Sequence, residues 1–196
     1  MIGRLPTSLE VNGKAYEIRT DYRDILKILL AFDDEDLEPK DRAYVLLTQV
    51  FPGLGDIPKE DYEEAYIQAL AFVSCETVEQ LQRSKKKNPR VVNWEKDEMY
   101  LFPAVNRVAG FEVRAVDYMH WWTFMGYFQG IDREDTYGFI LSIRQKRAKH
   151  KKLEKYEQEF FNANREMCDL NFKTRQDVED ELLKLFQSAV EDEREE

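Results

Sequence analysis

Histidine and cysteine are nearly missing from this chain, with two of each among 196 residues. Cys75, His120, His150 and Cys168 stand far apart, and none has a neighbour at a metal-ligand spacing such as C-x₂-C or H-x₃-H. The pattern argues against zinc. Two cysteines also make no disulfide framework, and a reducing cytosol is the expectation. A Cys-His nucleophilic pair needs a proximity that spacing does not supply. Cys75 closes an apolar helix face, the usual place of a small buried thiol. Glycine is scarce too, at eight residues, which leaves little material for a phosphate cradle. G-x-x-x-x-G-K-S/T, G-x-S-x-G and H-E-x-x-H are all absent. Asp34-x-Asp36-x-Glu38 starts like a calcium loop, but Pro39 holds the sixth position, where the turn needs Gly, and no glutamate stands at the twelfth. The sequence therefore predicts no metal, no cofactor and no enzyme. No apolar run approaches the roughly 18 residues of a membrane span, so no membrane contact is expected. Met1-Ile2-Gly3-Arg4-Leu5-Pro6 lacks the apolar stretch of a secretory signal.

Charge and aromatics are what the chain has in plenty. Asp and Glu number 39 against 29 Lys and Arg, a formal charge of -10. A general nucleic-acid binder would show the opposite balance. Charged residues make up 35% of the chain and the mean hydropathy is -0.64, so the exterior is heavily solvated. A hydrophobic share of 43%, with 13% aromatic, still suffices for a core in one domain or two small lobes.

The one clear β signal is Asn12-Gly13. It is flanked by the alternating runs Ser8-Leu9-Glu10-Val11 and Lys14-Ala15-Tyr16-Glu17-Ile18-Arg19. Asn-Gly takes the positive φ angles of a two-residue hairpin turn. A lone hairpin is marginal in water, so it should lie on helices or pair with another chain. Helical stripes follow. Thr20 or Asp21 caps a helix with Tyr22, Ile25, Leu26, Leu29 and Leu30. A second helix after Pro39 carries Tyr44, Val45, Leu47 and Phe51 and stops at Phe51-Pro52-Gly53-Leu54-Gly55. A third, from about Pro58, carries Tyr62, Ala65, Tyr66, Ala69, Leu70 and Val73. From Gln80 to Pro89 the chain loses large apolar side chains beyond Leu81 and reads as a solvated linker. Asn93 then caps a helix with Met99, Phe102, Val105 and Val108. Pro103 inside it should kink or break it, and Gly110 ends it. Asp132 or Asp135 caps a helix through Tyr137, Ile140, Leu141 and Ile143. Leu153, Tyr156, Phe160 and Phe161 resume the pattern.

The expected fold is mainly α, a helical bundle with a short N-terminal β-hairpin. Its organisation reads as a lobe over residues 1–82, a basic linker over 83–90, and a helical lobe over 91–165. An amphipathic helix and acidic tail occupy 166–196.

Three stretches are candidates for recognition. Tyr118 to Phe128 holds seven aromatic or His residues in eleven. As a helix from about 115 to 130 it would be apolar nearly all round, which suits a central core helix. A ligand-stacking surface and an exposed partner face are the alternatives. Arg144, Lys146, Arg147, Lys149, Lys151 and Lys152, followed by Lys155, form a basic run. Read as a solvated helix face, it could also meet an acidic protein surface, including this chain's own C-terminus or that of a second copy, or phosphates. No aromatic residue alternates with the cations, so a base-stacking platform is not suggested. Finally, Thr174-x-x-Asp177 resembles a capping box and opens a helix with Val178, Leu182, Leu185, Phe186 and Ala189 on one face. That face either packs in cis or docks on another chain.

The order of segments goes further than any one of them. Leu5-Pro6 and then Val11-Asn12-Gly13-Lys14-x-Tyr16-x-Ile18-x-Thr20-Asp21-Tyr22-Arg23 resemble the opening of the small phage family called gene-product fifteen. Asn93-Trp94-x-x-Asp97, His120-Trp121-Trp122-x-Phe124 and the pair Ile143-Arg144 extend the resemblance over about residues 4 to 165. It implies a tail-module protein of long-tailed phages of Gram-positive bacteria. Genes of this family typically lie between those for the major tail protein and the tape-measure protein. That placement implies a tail assembly chaperone for the tape-measure protein, acting in the host cytoplasm and absent from the mature virion. The major tail protein and a second copy of the chain are further partners the resemblance allows. Trp94, Asp97, His120, Trp121, Trp122 and Phe124 are then core motif residues with structural roles. A structural tail or head-tail component kept in the particle, and a nucleic-acid-associated protein using residues 144–155, are the competing expectations.

Overall fold

The computed structural model describes residues 3–83 and 89–170. It is mainly helical, with a two-stranded N-terminal hairpin, as the sequence predicts. The described residues fall into two compact units. The first comprises residues 3–83 with the segment Tyr118–Trp122, and the second comprises 89–117 and 123–170. The His-Trp-Trp segment thus clusters with the first unit, although in sequence it lies within the 91–165 span. The Val178 to Ala189 stripe and the acidic tail lie outside the described residues.

In the first unit, β1 (Ser8–Val11) pairs antiparallel with β2 (Lys14–Glu17), Val11 opposite Lys14. Asn12 and Gly13 have φ of 45° and 81°, the mirror-image turn that matches strand twist. Val11, Tyr16 and Ile18 are buried. The Asn12 side-chain amide donates to Asp61 Oδ1 at 2.5 Å, which ties the turn to the start of the third helix. Just past the hairpin, Arg19 Nη1 donates to Thr48 O at 2.6 Å and Gln49 O at 3.1 Å, and its backbone N–H donates to Val50 O. These bonds satisfy carbonyls left over at a helix end. The hairpin therefore lies on helices, the first of the two arrangements expected.

That helix is α2 (Pro39–Val50), with Pro39 at its first position, where a missing N–H costs nothing. Before it comes α1 (Tyr22–Asp33), capped by the Asp21 carboxylate on Arg23 N–H. The buried faces are rotated from those expected. In α1 they are Tyr22, Ile25, Ile28, Leu29 and Phe32, leaving Leu30 exposed. In α2 they are Ala43, Leu46, Leu47 and Val50, and Tyr44 is 66% exposed. Each outlier sits about 100° round from a buried neighbour, so one misplaced stripe position puts a large side chain in water. Next, α3 (Tyr62–Ser74) buries Ala65, Tyr66, Ala69 and the run Leu70 to Val73. It stops at Cys75, in the left-handed region with φ 56°. Cys75 is partly exposed, not the fully buried thiol expected.

The linker reading needs one correction. Val78–Arg83 forms helix α4, opened by a capping box. Gln80 N–H donates to Thr77 Oγ1, and Gln80 Oε1 accepts from Thr77 N–H at 2.8 Å. Residues 84–88 lie outside the described ones.

The second unit opens on a turn held by Asn93 Oδ1, which accepts from Glu95 and Lys96 N–H. α5 (Glu98–Ala109) follows and runs unbroken through Pro103. The expected break does not occur, because the carbonyl that Pro103 cannot serve belongs to Met99. That residue is 82% exposed, so water can replace the lost donor. Gly110 ends the helix at φ 80°. α6 spans Trp121–Gln129. α7 (Thr136–Ala148) is capped by Asp135 on Tyr137 N–H. α8 (Lys155–Ala163) and the single turn α9 (Arg165–Cys168) complete the unit. One small core gathers Ile140, Ile143, Phe161 and Cys168. On α5, Leu101, Ala104 and Val105 are buried, while Phe102 meets Phe124 with ring centroids 6.1 Å apart.

Candidate functional site

The aromatic motif proves to be a clasp. The expected helix from residue 115 begins only at Trp121. Before it the chain is extended, and residues 119–121 pair with residues 20–22: Tyr22 N–H donates to Met119 O and Trp121 N–H to Thr20 O. Tyr118 is 57% exposed, its hydroxyl bonded to Thr20 Oγ1 at 2.8 Å. Asp21 does double duty. One carboxylate oxygen caps α1 and the other accepts from Met119 N–H.

His120 is buried and orients its neighbours. Its Nδ1 accepts from Trp122 N–H at 3.0 Å, so in the neutral ring the proton sits on Nε2, which donates to Pro6 O at 2.9 Å. Trp121, 1% exposed, donates its indole N–H to Val73 O, and Trp122, only half-buried, donates to Phe72 O, each at 2.9 Å. Phe72 and Val73 lie in the last turn of α3, where carbonyls lack i+4 helical donors; the Phe72 carbonyl also accepts from Cys75 N–H at 3.1 Å. The adjacent tryptophans, which cannot share one direction on a helix, therefore take two successive carbonyls. Phe124 is fully buried, and Met125, Tyr127 and Phe128 are half-buried. The helix is thus only partly covered, not the all-round core helix expected.

The Trp-x-x-Asp motif anchors the second unit. Asp97 is 2% exposed and Arg144 is 6%. They form a two-pronged ion pair, Nη1 to Oδ2 at 2.6 Å and Nη2 to Oδ1 at 2.8 Å. Tyr137 OH and Asn93 N–H also donate to Asp97, and Arg144 donates to Met167 O and Val91 O. Nearly every polar atom of this buried pair is therefore used, which such pairs require. Burial, reinforced by the Asp97 charge, pushes the Tyr137 hydroxyl well above its ordinary pKa and keeps it a donor. Trp94 packs against Phe128, the rings tilted by 40° with centroids 5.5 Å apart. Burial likewise pushes the Cys168 thiol up, outweighing Arg144 and Arg147, which makes it a poor nucleophile.

This arrangement divides the basic run. Arg144 is withdrawn into the interior and is no surface contact. Lys146 pairs with Glu157 at 2.5 Å. The hydrogen bond to Glu157 raises the Lys146 pKa against a smaller desolvation effect. Burial alone would raise Glu157, but Lys146 and the Glu154 N–H outweigh it and hold the carboxyl below its ordinary value. Arg147 lies 3.9 Å over the Phe161 ring and pairs with Asp169 at 3.4 Å. Lys149, Lys151 and Lys152 are exposed. Arg147, Lys151 and Lys152 come together with His150 and Lys155 along an open groove of about 1110 Å³ at the turn between α7 and α8. Lys149 stays outside its lining.

Sequence reasoning placed Asp97 in the core motif but missed its partner, and it missed the burial of Arg144 and Glu157, yet a signal existed. Arg144 follows Tyr137 and Ile140 at helical spacing, so it falls on the apolar stripe of α7. Asp97 stands four residues before buried Leu101, and Glu157 four before Phe161. A charge on a core stripe calls for a buried partner.

Among the described residues, no group of three His, Cys, Asp or Glu is placed to hold a metal ion. None of their helices is long and apolar enough to cross a membrane. The family model described as Bacteriophage Gp15 protein matches residues 1–170. No curated protein and no solved structure matches the chain.

Proposed function

The chain belongs to the bacteriophage Gp15 family, a phage structural or morphogenesis-related protein, and from that premise we propose that it is a tail assembly chaperone. In this reading it binds the tape-measure protein in the host cytoplasm, keeps it soluble while the tail is built, and is not retained in the virion. The observation that carries the reading is the family match, which spans both compact units. The order of genes that the family resemblance implies supplies the client.

The physics supports it in three ways. The polar chemistry of the motifs is spent on holding the fold: the tryptophan indoles on α3 carbonyls, Arg144 on Asp97. No catalytic step is needed. Large apolar side chains remain exposed in each unit, Leu30 and Tyr44 in the first, Met99, Val108 and Phe111 in the second. Such side chains can accept an apolar helix face, the helix-in-groove mode. The Val178, Leu182, Leu185, Phe186 and Ala189 stripe is a further docking element in this proposal. A formal charge of -10 keeps coated clients apart. The major tail protein and a second copy are secondary partners.

Co-expression with the tape-measure protein is the test. The account expects the client to move from the pellet to the soluble fraction and to co-purify with this chain. A client that stays insoluble, or is soluble without bound chain, refutes it.

A further inference from the structure

The acidity of the chain is unevenly spread. Residues 3–83 carry 9 Lys and Arg against 17 Asp and Glu, whereas residues 89–170 carry 13 of each. Within that neutral second unit, cations gather at one place. Lys151, Lys152 and Lys155 are exposed, line the groove at the α7–α8 turn, and make no ion pair with any described residue. Lys155 is the first residue of α8, the end of a helix where a cation is disfavoured, so it does not serve its own helix. The first unit holds the counterpart. Asp34, Glu35 and Asp36 are exposed in the connection between α1 and α2. They follow the C-terminal end of α1, where carboxylates are disfavoured and the last turn has no basic residue. The cations nearby are already engaged: Lys40 pairs with Glu38 at 2.8 Å, and Arg42 donates to the Asp34 backbone carbonyl. Glu35 and Asp36 are left without an ion pair among the described residues.

We propose that the α1–α2 turn of one copy docks in the α7–α8 groove of a second copy, with Glu35 and Asp36 meeting Lys151, Lys152 and Lys155. Charge complementarity chooses this occupant, and three observations sharpen the choice. Both sets of charges belong to described residues of one chain, yet no ion pair joins them within it. Glu154 and Glu159 in the groove lining repel a continuous phosphate backbone and suit a partner with a few separate carboxylates. The other acidic cluster of the first unit, at the start of α3, is already used. Asp61 accepts from Asn12 and Glu64 from Gln68, and Glu63 and Glu64 occupy the first turn of α3, where the dipole favours them. Because turn and groove are different surfaces, each contact leaves one of each free, and association builds a ring or a filament rather than a closed pair. At physiological salt, screening over about 8 Å confines the repulsion between two acidic copies, so the facing charges decide. The contact deepens the chaperone reading, giving a coat its copy-to-copy joint, and it forms without the client.

The test uses the full chain without client and the charge reversals E35K/D36K and K151E/K152E. Average mass is read by light scattering from about 5 to about 200 μM. The wild-type chain should climb above the 23.4 kDa of one copy as concentration rises. Each variant alone should stay there, because its turn and its groove then carry the same sign. An equimolar mixture of the two variants should regain the climb, since each reversed surface finds its opposite on the other variant. The four side chains are exposed and unpaired among the described residues, so both variants should melt as the wild-type chain does. Where a reversal lowers the melting point, E35Q/D36N or K151Q/K152Q replaces it and must lose the climb. A wild-type chain that stays at one copy overturns the proposal. So does association that survives either substitution, or a mixture of two folded reversals that remains at one copy. Wild-type association that nuclease abolishes would put a nucleic acid in the groove and overturn it as well. Capture of the tape-measure protein by the wild-type chain is scored separately, so either reading can fail without the other.

Discussion

Replacing Arg144 with Met asks the most of the second unit. The substitution keeps the length of the side chain and removes every donor. Asp97 loses both prongs of its ion pair, at 2.6 and 2.8 Å. It keeps Tyr137 OH at 3.0 Å and Asn93 N–H at 2.9 Å, but as a carboxylate with no counter-charge. Met167 O and Val91 O lose donors as well. Breaking one side of a buried pair costs roughly 3–5 kcal/mol, a large part of the 5–15 kcal/mol that holds a domain together. The double variant D97N/R144M removes both charges. It should therefore be less destabilised than the sum of the single changes. The assay is urea denaturation with hydrogen exchange read on peptides from α5 and α7. Exchange there should rise in R144M well before it does in the wild-type protein. If R144M loses less than about 1 kcal/mol while partner binding falls, Arg144 is a surface contact and the buried-pair account is wrong.

Trp121→Phe should cost about 1–3 kcal/mol, because the ring stays buried but Val73 O loses its donor. Trp122→Phe should cost less, since that side chain is half-buried; thermal melts of the two variants check the order. Gly138→Ala should destabilise by more than about 1 kcal/mol, because its new Cβ would lie 2.0 Å from Asp132 O; an unchanged urea midpoint would contradict it. The Lys146–Glu157 pair sets a pH window. Glu157 has a lowered folded pKa, so its contribution is full above the ordinary carboxylate value and fades as pH falls through the folded value. Lys146 has a raised one, so its contribution is full below the ordinary lysine value and fades as pH rises through the folded value. Stability measured against pH should therefore drop below about pH 4 and above about pH 10.5, and less steeply at both ends in E157Q.

Local signals carried most of the fold. Asn12-Gly13 forced the hairpin, Asp21 and Asp135 announced their helices, and Gly110 closed α5. Those features depend on neighbours a few residues away. What sequence could not show were partners at long range. Asp97 and Arg144 are 47 positions apart, and Trp121 meets Val73 across 48. Without that geometry Arg144 joined a basic run and Tyr118 joined a helix. The extended pairing of residues 119–121 with 20–22 has no local signature, so the aromatic stretch read as one continuous helix. Pro103 failed as a breaker because exposure of Met99 is a tertiary fact. The basic run was visible in the sequence as a string of cations. That its outer cations share one groove required the turn between α7 and α8.

The chaperone claim is tested most directly by quantifying this chain by mass spectrometry in two samples from one infection. One is tape-measure protein isolated from cells before tails are complete. The other is purified virions. The account predicts many copies per tape-measure protein in the first sample and none in the second. Stoichiometric copies in the virion, or none with the unassembled client, would contradict it.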